Sequence, residues 1–477
     1  MLGGSRRTVS LALACAVSAG LAGVAVTATG APPSRPTAIV SLGDSYISGQ
    51  AGRWQGNSDD SFGSRAGTDR ACVASPSGCR YDPGRVYLGG TQPPGCARSD
   101  VAEIRSAAIP VDERVNIACS GAVTRNLLRA RSGGRSFKGE APQADQLAGI
   151  ASRRRVELIA VTIGGNDLGF ASVVAACAFA YVSRAAPCNR AQQAAIEAKL
   201  PMAMAGVARV IDDIRAVMRS AGYRPWDYRL VLQGYPSALP RAAENRYPQA
   251  GLARELVGNC PFYDADSNWA RDTIVPRIDA SLEAVALRKR VQFMDLRDEL
   301  QGREICSRST RLADRSHPPS PVNSEWARFV GPSAIFQGGT IDEEVHPNAY
   351  GQQALGRCLT LLFARATGSW TCRNTPSRGT GSMFLGRISS VPGRFPLRLR
   401  ASPRRVIAGR RRCFTFRALS GAEPVDAVSV RFAGRRGRTG RRGRVRECLR
   451  LRARSYRARA SRRGFRSAVV TVRAIRP

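Results

Sequence analysis

Glu157-Leu-Ile-Ala-Val-Thr-Ile163 is apolar at nearly every position. A strand so composed has to be covered on both faces, which is the condition of a parallel sheet lying between layers of helices. Shorter strand-like segments stand at Ala38–Leu42, Arg114–Ala118, Arg229–Gly234 and Arg290–Asp295. Between and after them the apolar period lengthens. Val207, Ile211, Ile214 and Met218 share one face within Ala191–Ser220, Ile278, Leu282 and Val285 mark another helix, and Ala349–Ala364 a further one. Strands alternating with helices predict a three-layer α/β/α domain with a mainly parallel sheet, whose site lies at the carboxyl ends of the strands.

Three of these strands end in small or polar residues: Gly43-Asp44-Ser45, Cys119-Ser120-Gly121 and Gly164-Gly165-Asn166-Asp167. A serine at the end of a strand is how an α/β enzyme presents a nucleophile, but a free hydroxyl attacks poorly at neutral pH and requires a base and oxyanion donors. An imidazole is the usual base, and the chain has only two, His317 and His346. His317, in Ser-His-Pro-Pro, has no flanking pattern, whereas His346 stands in Val345-His346-Pro347-Asn348 just before a helix. Taken singly, Gly-Asp-Ser is also a good strand-to-helix cap, Gly121 a turn glycine and Asn166 an Asx-turn residue.

In order along the chain, Gly43-Asp44-Ser45-Tyr46-Ile47-Ser48-Gly49, Ser120-Gly121, Gly164-Gly165-Asn166-Asp167 and Val345-His346-Pro347-Asn348 resemble the four blocks of the SGNH hydrolase superfamily, also called GDSL lipases and esterases. The resemblance covers residues 37–372 and is nearest to secreted actinobacterial lipases and esterases. It implies an SGNH, flavodoxin-like α/β fold, Ser45 as nucleophile, His346 as its base, and an oxyanion hole made of the Ser45 and Gly121 amides and the Asn166 carboxamide. It implies no metal and no organic cofactor. The family places an aspartate three residues before the histidine; here that position is Glu343, flanked by Asp342 and Glu344. Glu343 is the expected orienting acid, with Asp342 or a backbone carbonyl as alternatives. Asp44 is expected to position the loop; Trp54, Leu168 and Phe170 are candidates for an acyl groove, although apolar residues beside a site more often pack.

The termini and cysteines point outside the cell. Arg6 and Arg7 precede an uncharged, Ala-, Val- and Leu-rich stretch, Thr8 to Gly30, so residues 1–30 are expected to be a secretory signal peptide, with an uncleaved membrane anchor as the alternative. Twelve cysteines follow Cys15, and in an exported chain an even number implies disulfides. Pairing neighbours in order gives Cys72–Cys79, Cys96–Cys119, Cys177–Cys188, Cys260–Cys306, Cys358–Cys372 and Cys413–Cys448. Cys72, Cys79 and Cys96 fall in a Gly- and Pro-rich insertion at 50–100 that has little periodicity of its own.

The formal charge is +37, and most of the excess follows Cys372, where only Glu423, Asp426 and Glu447 oppose dozens of arginines. Thr375 to Gly393 is rich in Ser, Gly, Pro and Thr, so 373–393 is expected to be a linker. Short alternating segments beyond it predict an Arg-rich, Ig-like β-sandwich over 394–477, with Cys413 and Cys448 stapling it. The expected partners are an acyl ester substrate and, through the basic domain, an anionic cell-wall or polysaccharide surface rather than nucleic acid, with the chain a monomer. Three functions remain at this point: hydrolysis of lipid or short acyl esters, removal of acetyl groups from polysaccharide, and surface binding carried mainly by the basic domain.

Overall fold

The computed structural model describes residues 35–477 except 332–335, 339, 376, 389–396, 421–422, 441, 463–464 and 466. The expected signal peptide, and the end of the expected linker, lie outside the described residues. Among these residues no helix is long and apolar enough to cross a membrane.

Residues 36–477 form one compact unit with two β systems. The first strand, β1 (Thr37–Gly43), is followed by a hairpin, β2 (Cys72–Ser75) and β3 (Gly78–Tyr81), in the 50–100 insertion. Then come β4 (Glu113–Asn116), β5 (Arg155–Thr162), β6 (Arg229–Gln233), β7 (Gln292–Asp295), β8 (Ser369–Arg373) and β9 (Phe384–Arg387). They assemble in the order β4-β1-β5-β6-β7-β8-β9, parallel throughout except for the last pair. The apolar run in β5 is buried at nearly every position, as its composition requires. Helices Gln143–Arg153, Asn189–Ser220 and Val275–Lys289 pack together, and Ala349–Phe363 packs with Glu103–Ser106.

The chain runs from β1 to β4 on one side and then crosses to β5 on the other. That reversal opens a crevice at the carboxyl end of β1, where open α/β sheets bind their ligands. All three strand ends singled out in the sequence border it. The six disulfides join neighbours in order, from Cys72–Cys79 to Cys413–Cys448.

The expected linker departs from its composition. Phe384–Arg387 pairs antiparallel with β8, from Trp370 opposite Arg387 to Arg373 opposite Phe384. The first sheet therefore runs past residue 372, because edge pairing uses backbone groups that any composition supplies.

The second system holds β10 (Arg398–Ser402), β11 (Arg405–Ile407), β12 (Arg411–Ser420), β13 (Glu423–Pro424), β14 (Ser429–Phe432), β15 (Arg435–Arg438), β16 (Arg444–Arg450), β17 (Arg454–Ser461) and β18 (Ala468–Ile475). One sheet contains β10, β12, β13 and β16, the other β11, β18, β17, β14 and β15. Phe414, Phe416, Phe432 and Val472 are buried in their shared core. This core also takes in Ala284 of the α/β part, and Asp426 ties the two parts by pairing with Arg290 at 3.0 Å and Arg462 at 2.9 Å.

Candidate active site

Gly43 ends β1 with φ +142°, and a Cβ there would lie 2.0 Å from the Thr162 carbonyl oxygen. Only glycine allows this close strand approach and turn. The next residue, Asp44, caps the short helix Ser45–Ser48 by accepting from the Tyr46 amide at 3.1 Å. Ser45 is thereby placed first in the helix, facing the crevice with its amide free. Neither the Ser45 amide nor the Gly121 amide has an acceptor among the described residues.

His346 arrives from the far end of the α/β part. Its Nε2 lies 2.7 Å from Ser45 Oγ, and its Nδ1 lies 2.8 Å from the backbone carbonyl of Glu344. A proton on Nδ1, donated to that carbonyl, leaves the Nε2 lone pair to accept from the serine hydroxyl. The backbone around it is pinned from both sides: the Val345 amide donates to the Arg328 carbonyl at 2.8 Å and the Arg328 amide to the His346 carbonyl at 2.9 Å. Val345 adopts φ +56°, a strained conformation for a β-branched residue. Tyr46 holds that turn by donating its hydroxyl to the Val345 carbonyl at 3.1 Å, with its ring 4.8 Å from the imidazole. Two residues on, Asn348 caps the helix Ala349–Phe363 by accepting from the Tyr350 amide at 3.0 Å.

Burial pushes the His346 pKa down to about 4, and the Glu344 carbonyl and the charge of Asp342 offset the lost solvation only in part. Burial acts the other way on Asp44, raised to about 7. Its second oxygen accepts from the Tyr235 hydroxyl at 2.5 Å, and that hydroxyl accepts in turn from the Gly165 amide at 2.9 Å. One phenol thus links the turn bearing Ser45 to the turn bearing Asn166. Asp167 fastens the same turn to the segment after Gly121, accepting from the Thr124 amide at 2.9 Å and hydroxyl at 2.6 Å.

Gly121, at φ +84°, and Asn166 lie on the wall of the cleft that holds Ser45 and His346. The Asn166 carboxamide donates one hydrogen to the Ala122 carbonyl at 3.0 Å, leaving the second for an oxyanion. Ser120, on the same wall, donates its hydroxyl to Gln50.

Glu343 does not orient the imidazole. Its carboxylate is buried and accepts from Trp54 Nε1 at 3.0 Å, from the Tyr87 hydroxyl and from the Thr340 amide at 3.1 Å. The chain bends so that the Glu344 carbonyl, not the side chain before it, meets Nδ1. Asp342 lines the cleft but makes no hydrogen bond to the ring among the described residues. His317 lies elsewhere, exposed and beside Asp314 at 3.0 Å.

The expected acyl groove is corrected in part. Trp54 is fully buried beneath the Arg328 guanidinium, 3.6 Å from its ring centre, and takes no part in the cleft. Leu168 lines not the cleft but an adjoining apolar cavity of about 100 Å³. Phe170 borders both that cavity and the cleft. The cleft itself measures about 770 Å³. Helix Phe170–Val182 forms an apolar wall of it, and exposed Phe179, Phe336 and Ile341 stand at its mouth.

Among the described residues the one cluster with metal-ligand spacing is Cys177, Cys188 and Asp266. Its cysteines are joined to each other, and Asp266 accepts from the Cys188 and Asn189 amides at 3.3 and 2.9 Å, so the group serves as a helix cap and staple. Sequence reasoning missed Tyr46, Tyr235 and Arg328. Of these only Tyr46 had a signal, as the residue after Ser45.

The chain matches no protein-family model and no curated protein. Among solved structures it is similar to an extracellular lipase from Streptomyces rimosus, at TM-score 0.37 and 21% identity over 69% of this chain and 100% of the other. It is similar also to phospholipase A1 from Streptomyces albidoflavus, at 0.36 and 20% over 66% and 94%, and to a carbohydrate acetylesterase from Sinorhizobium meliloti, at 0.28 and 11% over 68% and 96%.

Proposed function

We propose that the chain is a secreted serine hydrolase of the SGNH type that cleaves carboxylic esters. The observation that carries this is the 2.7 Å contact between His346 Nε2 and Ser45 Oγ, made between residues of opposite ends of the α/β part, in a cleft that also holds unoccupied amide donors.

The imidazole takes the hydroxyl proton as Ser45 Oγ attacks the ester carbonyl carbon. The developing oxyanion accepts from the Ser45 and Gly121 amides and the Asn166 carboxamide, neutral donors fixed before the reaction begins. Collapse expels the alcohol, which takes the proton from His346, and leaves an acyl ester on Ser45. A water deprotonated by the same imidazole then releases the acid.

The apolar wall and mouth of the cleft favour a long acyl chain over acetate, and hence lipid-like esters over acetylated polysaccharide. An acyl-length series of p-nitrophenyl esters tests this, with Ser45→Ala and His346→Ala as controls. Turnover should vanish in both variants with the fold intact, and kcat/KM should rise with chain length. Full activity in either variant rejects the site, and a maximum at acetate rejects the lipid-like substrate.

A further inference from the structure

The second β system carries arginines in a register that a solvated surface alone does not account for. On one outer face, Arg431 of β14 sits directly opposite Arg459 of β17 and directly opposite Arg436 of β15. On the other outer face, Arg417 of β12 sits opposite Arg400 of β10 and opposite Arg444 of β16. All six are exposed, and none has a carboxylate partner among the described residues. Like charges directly opposite each other across a sheet are destabilising, so each row of three costs folding energy that a bound anion would return.

We propose that these two rows bind a flexible, linear, phosphate-bearing polymer that lacks bases. Adjacent strands are about 5 Å apart, so each row presents three guanidinium forks in succession, and such forks match phosphate oxygens in pairs. Around Arg431 the face is hollowed, with Arg435, Arg436, Arg457 and Arg459 lining the depression. Of the acids in this part, Asp426 is engaged by Arg462 and Arg290, and Glu447, paired opposite the buried Phe414, shares the inner face and not the face of the rows.

The geometry separates this partner from two others. The rows lie on opposite outer faces of the sandwich, so a planar bilayer can engage only one at a time, whereas a flexible chain can follow both. Single-stranded nucleic acid is held largely by stacking on aromatic side chains, and no aromatic residue is exposed among the described residues of 397–477.

The test uses the full chain, with long-chain inorganic polyphosphate as the probe at 0.1 M salt. Variants Arg400→Gln/Arg417→Gln/Arg444→Gln and Arg431→Gln/Arg436→Gln/Arg459→Gln are compared with Arg105→Gln/Arg153→Gln/Arg219→Gln, which removes the same charge from the α/β part. Each row variant should lose roughly a hundredfold in affinity and lower the salt dependence by about two, as expected for three lost phosphate contacts. The charge control should lose far less. Short-ester turnover and Tm, unchanged or raised in the row variants, report that they fold.

Equal affinity losses in all three variants, or none in the row variants, overturn the proposal. So does retention on phosphatidylglycerol vesicles without binding of soluble polyphosphate, or tighter binding of oligo(dT) than of polyphosphate of equal charge. Because the probe is not an ester, these outcomes are independent of the hydrolase activity.

Discussion

The Nδ1 atom of His346 lies 2.8 Å from the carbonyl oxygen of Glu344, two residues earlier in the same turn. The imidazole is therefore oriented by a peptide dipole, while the carboxylate of Glu343 is spent on Trp54, Tyr87 and Thr340. Glu343→Gln should lower kcat by less than about tenfold, against the roughly ten-thousandfold loss that follows when an acid orienting the base is neutralised. It should instead destabilise the fold by about 1–3 kcal/mol, since a buried acceptor of three donors is disturbed. Steady-state kinetics beside a urea titration separates the two, and a ten-thousandfold loss would restore Glu343 to the triad.

A peptide carbonyl brings less negative charge to the imidazole than a carboxylate, and burial holds the His346 pKa down at about 4. The base is active when neutral, so kcat/KM should keep its plateau into mildly acidic solution and fall only as pH drops through about 4. In the unfolded chain the ring binds its proton below about 6.5. Between these values the unfolded state holds more protons, so this residue's contribution to stability is full above about 6.5 and is lost as pH falls to about 4. Asp44 and Glu344, both pushed up to about 7 by burial, titrate higher. A limb near 7 that disappears in Asp44→Asn belongs to Asp44, and one that disappears in Glu344→Gln belongs to Glu344. A limb near 6.5 that persists in both variants contradicts the low histidine pKa.

The parts of the site legible in the sequence are those whose signal is local. Gly43-Asp44-Ser45 announces a strand end, a cap and a hydroxyl within three residues, and the His-Pro-Asn segment announces a helix start. The partner of Nδ1 had no such signal, because every residue carries a carbonyl and only the strained turn at Val345 selects that of Glu344. Trp54 looked like a groove residue from its nearness to Ser45, but Arg328, far along the chain, buries it by stacking. Likewise the Ser-, Gly- and Pro-rich stretch after Arg373 looked like a linker. Its strand Phe384–Arg387 is held by pairing with β8, which composition does not encode.

Tyr235 bridges two turns that the reaction needs in register, donating to Asp44 and accepting from Gly165. Tyr235→Phe removes the bridge and leaves the ring packing against Tyr46, 5.1 Å between centres. The Asn166 turn should then sit less accurately against Ser45, and misplacing an oxyanion donor costs part of the hundred- to thousandfold that its removal costs. We expect kcat to fall about tenfold to a hundredfold with KM little changed, and Asn166→Ala to fall by the full amount. If Tyr235→Phe changes KM alone, the bridge does not act on the oxyanion donors.

The cleft wall gives a test of acyl length that leaves the reacting groups untouched. Ala175 is an exposed, cleft-lining position of helix Phe170–Val182, so Ala175→Trp adds bulk to the groove without disturbing the core. Long-chain esters should lose tenfold or more in kcat/KM, while acetate, which ends short of the wall, should keep its rate. Equal losses for both would place the acyl chain elsewhere.

The disulfide Cys96–Cys119 fastens the 50–100 insertion to the segment that delivers Gly121. Beside it the Ser120 amide donates to the Cys96 carbonyl at 3.0 Å, and the Cys119 amide to the Gly43 carbonyl at 3.0 Å. The bond closes a loop spanning 23 residues, for which a cross-link stabilises by about 2–4 kcal/mol. Cys96→Ser/Cys119→Ser should lower stability by that amount in a denaturant titration. The two amide bonds remain to hold Gly121, so the surviving folded enzyme should keep kcat within about tenfold. A collapse of kcat at full stability would mean that the covalent link itself sets the oxyanion geometry. Loss of stability with kcat retained would make the insertion a clamp on the fold.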